Sequence, residues 1–208
     1  MTILDQLSSQ TGARDQAANR AVAERCLEEP TLLHEVAEGL VSPDAALAGD
    51  CAEVMTKVAE SRPELVVSFA PALATLLNHD TSRVRWEATH ALALISPRIS
   101  ETIGPLLPRL AEMIESDPSV VVRDNAVTAL GGYGGTSQEA AEEVFPILEA
   151  ALRRWDGKHA GRVLQALAEI APAVPELHRR LHQIGSEYAA FQRPSVQKAA
   201  RLLIQAAE

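Results

Sequence analysis

Two stretches decide the fold: Asp80–Ile95, DTSRVRWEATHALALI, and Asp117–Tyr133, DPSVVVRDNAVTALGGY. Laid over one another they share Val-Arg, then Ala three residues after the Arg, then Ala-Leu. Arg85, Ala88, Ala91 and Leu92 correspond to Arg123, Ala126, Ala129 and Leu130, 38 residues on. The register continues in both directions. Val163, Ala166 and Leu167 follow after 37 residues, and Ala199, Leu202 and Leu203 after another 36. Upstream, Cys51, Val54 and Met55 match at a distance of 37, and Ala18, Ala21 and Val22 lie 33 before them. Self-similarity at this period marks stacked helix pairs, each unable to bury its apolar face alone.

A first helix precedes each copy. Pro63–Asn78, Glu101–Glu115, Gln138–Arg154 and Ala173–Ile184 carry apolar residues at helical spacing, with Thr31–Val41 a shorter version. Prolines recur near the middle of most (Pro71, Pro105 with Pro108, Pro146 and Pro175), which predicts a repeated bend. Pro43, Pro63, Pro118 and Pro194 stand where a first helical turn accepts proline. Asp80 and Asp117 precede second helices, where a carboxylate can cap free N–H groups.

Composition agrees. The 208 residues include 35 Ala and 25 Leu but only seven aromatics, so small aliphatic side chains must build the core. An all-β sandwich would need far more β-branched and aromatic residues.

The run Ala70–Leu77 followed by Asp80, Val84-Arg85, Ala88 and Ala91-Leu92 resembles a HEAT repeat. So does Ile103–Leu110 followed by Asp117, Val122-Arg123, Ala126 and Ala129-Leu130. The resemblance covers the whole chain. It implies an all-α, right-handed α-α superhelix of about six HEAT-like pairs, one domain over 1–208, with degenerate capping repeats at 1–28 and 173–208. Such repeats share a shape and not a role.

In that family the second helix of each pair lines the concave surface. At ~100° per residue, Val84, Ala88, Ala91, Leu92 and Ile95 share the core face and Trp86 points away from it. The outward positions form a row: Gln16 and Arg20; Asp50 and Glu53; Trp86, Glu87 and His90; Asp124, Asn125 and Thr128; Arg162 and Gln165; Gln197, Lys198 and Arg201. These are the candidate binding residues, with Trp86 as the anchor unless it leans onto a neighbouring repeat. The charge is uneven. Residues 1–150 hold 10 basic against 23 acidic residues, and 151–208 hold 9 against 5. A surface with ends of opposite charge orients a partner.

Several chemistries lose ground. The net charge of −9 disfavours nucleic acid as a partner. His178 and His182 share a helix side, but Arg179 and Arg180 lie between them and the general-base Glu of a zinc protease is missing. Deoxyhypusine hydroxylases are HEAT proteins with His-Glu pairs on second helices, whereas here the only His-Glu, His34-Glu35, falls on a first helix. HEAT-like DNA glycosylases use aromatics and a carboxylate, parts for which Trp86, Trp155 and Asp124 are candidates. HEAT-like bilin lyases are the other enzymatic relatives. Gly131–Gly135 lacks the Lys-Ser/Thr of a phosphate loop and reads as a flexible exit from a helix.

Cys26 and Cys51 match no metal or redox spacing and fall at core positions, which suits a reducing compartment. The uncharged stretch Leu65–Leu77 is 13 residues long, too short to span a bilayer, and the first residues show no basic n-region. The expectation is a cytoplasmic, non-catalytic scaffold without metal or cofactor, gripping a protein or peptide in its concave groove. The alternative is an enzyme of the glycosylase or bilin-lyase kind.

Overall fold

The computed structural model describes residues 2–12 and 16–208, and among them the chain forms helices and no strand. It divides into two compact units, Met1–Thr102 and Ile103–Glu208. The first holds α1 (Ser8–Thr11), α2 (Ala17–Glu28), α3 (Leu32–Leu40), α4 (Ala45–Ser61), α5 (Ala70–Thr75) and α6 (Ser82–Ile95). There α4 packs against α2, α3 and α6. The second holds α7 (Ser100–Ser116), which starts just before the boundary, then α8 (Val120–Gly134), α9 (Gln138–Ala151), α10 (Ala160–Ile170), α11 (His178–Tyr188) and α12 (Pro194–Ala206). There α10 packs between α8 and α12.

The six repeat copies lie on α2, α4, α6, α8, α10 and α12. All three register positions are buried in the middle four. Ala21 on α2 and Leu202 on α12 are exposed, so the most divergent copies each leave one position uncovered.

The prolines do not produce one repeated bend. Pro105 and Pro108 in α7 and Pro146 in α9 sit inside continuous helices. Pro71 and Pro175 stand in first turns, where a missing N–H costs nothing. Residues 63–78 break into 3-10 turns around the short α5, and two 3-10 turns precede α11.

The expected aspartate caps also differ. Thr81 and Ser119 hold the cap positions of α6 and α8. Asp117 Oδ1 instead accepts from the Ser119 backbone N–H at 2.8 Å, tightening the loop. The repeated Val-Arg has a structural cause. Arg85 Nη1 donates to the carbonyls of His79 (2.7 Å) and Asp80 (2.9 Å), and Arg123 Nη1 donates to that of Asp117. Each arginine ties its helix to the preceding loop, satisfying carbonyls the first helix leaves open.

The glycine run is not a flexible exit, because α8 continues through Gly134. A Cβ on Gly131 would lie 2.9 Å from the Ala166 Cα, and one on Gly134 2.5 Å from Val144 Cγ2. These glycines let α8 approach α10 and α9 closely. Cys26 and Cys51 are free and fully buried on α2 and α4, and burial pushes their thiols up to about 11 and about 12.

Candidate functional site

In the first unit the outward row runs over α2, α4 and α6. Three of its expected solvent-facing charges are covered: Asp50 and Glu53 are 1% exposed and Glu87 is 5% exposed. The periodicity places them away from their own helix's core stripe, but neighbouring helices close over them. Asn19 comes from α2 and Arg83 from the first turn of α6. Asn19 Nδ2 donates to Asp50 Oδ1 and Glu53 Oε2, both at 2.9 Å. Arg83 Nη2 donates to the same two oxygens at 2.6 and 2.9 Å. The Ser9 backbone N–H adds a bond to Asp50 Oδ2 at 2.7 Å. Lys57 Nζ stands 3.5 Å from Glu53 Oε1. A buried carboxylate pair needs such partners to remain charged.

The two outer carboxylates behave differently. Burial would raise the pKa of Asp50, but the bonds from Asn19, Arg83 and Ser9 outweigh it and hold the carboxyl below its ordinary value. Burial, aided by repulsion from Glu53, pushes the Glu87 carboxyl up to about 7 against the pull of Arg83, Thr56 and Lys57. Thr56 Oγ1 donates to the Glu87 carbonyl at 3.0 Å, linking α4 to α6. Arg83 is raised, since Asp50 and Glu53 outweigh the effect of its burial.

Several side chains on this face remain open, one of them a large aromatic. Trp86 is 38% exposed on α6, beside the partly exposed His90 and the exposed Arg83. Gln16 and Arg20 are exposed at the start of α2.

In the second unit, Asp124, Asn125 and Thr128 on α8 are half-buried, whereas Arg162, Gln165, Lys198 and Arg201 on α10 and α12 are exposed. Gln197 is half-buried, its amide donating to the Phe191 carbonyl at 2.8 Å. Thr128 Oγ1 donates to the Asp124 carbonyl at 3.0 Å, within its own helix. Asp124 Oδ1 lies 2.6 Å from His159 Nδ1, and Arg123 Nε donates to His159 Nε2 at 2.9 Å. Since Arg123 needs an acceptor, the His159 proton sits on Nδ1 and is donated to Asp124.

Trp155 completes this cluster. The Arg123 guanidinium stacks 3.9 Å from its ring centroid, and its Nε1 donates to the Ile114 carbonyl at 3.1 Å. Trp155, Asp156 and Gly157 all take positive φ, of 53°, 53° and 68°. Two non-glycine residues in that region cost about 1–3 kcal/mol each. Arg193 Nη2 secures the turn by donating to the Gly157 carbonyl at 2.6 Å. His159 was invisible in the sequence: it belongs to no repeat position and reaches Asp124 only through this turn. Of the glycosylase candidates, Asp124 is thus engaged by His159 and Trp155 by Arg123. His178 gives its Nε2–H to the Ala171 carbonyl at 2.9 Å, and among the described residues no three potential ligands group around a metal position. Among those residues, too, no helix is long and apolar enough to cross a membrane.

No protein-family model matches this chain, and no curated protein matches it either. Solved structures do. A designed armadillo repeat protein shares 20% identity at a TM-score of 0.73, over 99% of this chain and 98% of its own. Another, solved in complex with the peptide (KR)4, shares 19% identity at a TM-score of 0.72, over 99% and 98%. Computationally designed armadillo repeat proteins for modular peptide recognition share 20% identity at 0.70, over 98% of both chains. At such identities the likeness shows the fold: an all-α solenoid of HEAT/armadillo type.

Proposed function

We propose that this chain is a non-catalytic binding module, a cytoplasmic scaffold whose second helices hold a segment of another protein. The observation that carries this is Trp86: a tryptophan 38% exposed on the outward face of α6, beside charges that are already neutralised within the fold. A large aromatic left in water on a rigid helix is suited to act as an anchor, because its desolvation by a partner contributes more than that of its neighbours. The peptide-binding designs that share the fold support a peptide or protein segment as the ligand class. Two buried free thiols suit a reducing setting.

An array of extended peptides probed with the full chain tests this. Wild type should retain a subset of peptides, and Trp86→Ala should weaken at least part of that subset roughly tenfold while unfolding as a helical monophasic transition. Retention no better than that of an unrelated helical protein would remove the proposal. So would a retained set indifferent to every substitution along the row.

A further inference from the structure

The outward faces of the second unit's last two second helices carry three cations that form no ion pair among the described residues. Arg162 on α10 and Lys198 on α12 occupy the same repeat position, one residue before Val163 and Ala199. Arg201 lies three residues beyond Lys198, on the same helix face. All three are exposed. The helices are direct neighbours: a Cβ on Gly161 would rest 3.6 Å from Val196 Cγ2. Packed helices have axes ~8–10 Å apart, so the three cations form one patch.

The surroundings leave this patch only partly compensated, with Glu169 acting on Arg162 alone. Arg162 donates only to Gln165, at 3.3 Å, and no carboxylate pairs with Lys198 or Arg201 among the described residues. No acidic residue occurs on α12. The one carboxylate on α10, Glu169, attracts Arg162 through space without forming an ion pair with it, and its Oε2 lies against α8, where a Cβ on Gly131 would meet it at 2.7 Å. On α8, Asp124 is held by His159. The contrast with the first unit is direct, for there the corresponding outward carboxylates, Asp50 and Glu53, are satisfied by Asn19 and Arg83. One turn beyond Lys198 and next to Arg201 in the chain, Leu202 is 43% exposed, a large apolar side chain left in water.

We infer that the α10–α12 face, through Arg162, Lys198, Arg201 and Leu202, docks an acidic, extended peptide segment. This rests on the reading of the chain as a segment-binding scaffold and names the chemistry of the segment. An extended chain advances ~3.3 Å per residue, so carboxylates about three residues apart match the helix spacing. An apolar residue between them meets Leu202. With a screening length of ~8 Å, a short acidic peptide feels mainly the patch it sits on, whereas a long polyanion such as duplex DNA extends beyond it onto a chain whose net charge is −9.

The test is fluorescence anisotropy with the full chain and a labelled peptide in which Glu or Asp recurs at every third position with Leu between. The comparators are the same peptide with Lys for each acid, and a short DNA duplex. The acidic peptide should bind, weaken with added salt, and lose roughly tenfold or more in affinity in Arg162→Glu and in Lys198→Glu/Arg201→Glu, which should keep the wild-type melting temperature. Leu202→Ser should lose a few-fold. Tighter binding of duplex DNA, or a concentration-dependent dimer abolished by Arg162→Glu, would overturn the inference by giving the face another occupant. Binding of the lysine peptide in place of the acidic one would overturn it while sparing the scaffold reading. Failure of the acidic peptide together with failure of the whole array would end both.

Discussion

Arg83 reaches back from the first turn of α6 and sets its Nη2 2.6 Å from Oδ1 of Asp50, a carboxylate that is 1% exposed on α4. The same nitrogen bonds Glu53, so one half-exposed cation bridges two buried carboxylates. This contact does structural work that belongs to the unit's interior, at positions whose helical phase points outward.

Arg83→Met should therefore destabilise the protein by about 2–3 kcal/mol. Breaking a fully buried pair costs ~3–5 kcal/mol, and the outer part of Arg83 is already in water. Urea unfolding at neutral pH measures this. Adding Asp50→Asn and Glu53→Gln to Arg83→Met should recover much of the loss, because the two buried carboxylates are then neutral and only the partly exposed Lys57 loses a partner. A loss below about 0.5 kcal/mol would show that Asn19 and Ser9 suffice.

Glu87 makes stability depend on pH near neutrality. Its carboxyl is raised from 4.5 to about 7 in the folded chain, so the folded state binds the proton more tightly than the unfolded one. Its contribution is fully present below pH 4.5 and is lost as pH rises through about 7. At 1.36 kcal/mol per pKa unit the span is about 3 kcal/mol. Asp50 acts in the opposite sense: its lowered carboxyl contributes stability above its unfolded value of 3.8, lost on further acidification. Wild type should unfold at higher urea at pH 6 than at pH 8, and Glu87→Gln should flatten that difference. An equal slope in the variant would assign the effect to another group.

Gly131→Ala should cost about 1–3 kcal/mol, the usual penalty of overpacking, although alanine is the better helix former by about 1 kcal/mol. Its Cβ would meet the Ala166 backbone at 2.9 Å, which cannot swing aside. Gly161→Ala is the control, since its Cβ finds only ordinary contact at 3.6 Å with Val196, and it should leave stability unchanged or slightly raised. Thermal melts of the two variants side by side decide it.

Trp86→Ala should lower stability by less than the ~3–5 kcal/mol of truncating a buried tryptophan, because 38% of the residue is already in water. Calorimetry can measure this before any partner is known. A loss as large as that of a core truncation would make Trp86 a packing residue and leave the outward row without an anchor.

Repetition and periodicity made the fold legible. A core stripe of Ala, Leu and Val recurring every 33 to 38 residues specifies which face of each second helix is buried, and Ala88, Ala91, Ala126 and Ala129 are indeed buried. That stripe is a one-dimensional property, set by 3.6 residues per turn and the hydrophobic effect. It also says that Trp86 points off the stripe, but not what lies beyond it. Whether an outward side chain meets water or a neighbour depends on interhelical distance and on long side chains crossing between helices. Asp50 and Glu53 are covered because Asn19 and Arg83 reach them from two other helices, while Arg162, Lys198 and Arg201 at related positions stay exposed because no such side chain arrives. The same limit hid His159, which meets Asp124 only because three residues in left-handed conformation turn the chain back onto α8. Helix positions follow from local spacing, but the neutralisation of each charge is a through-space property that only packing decides.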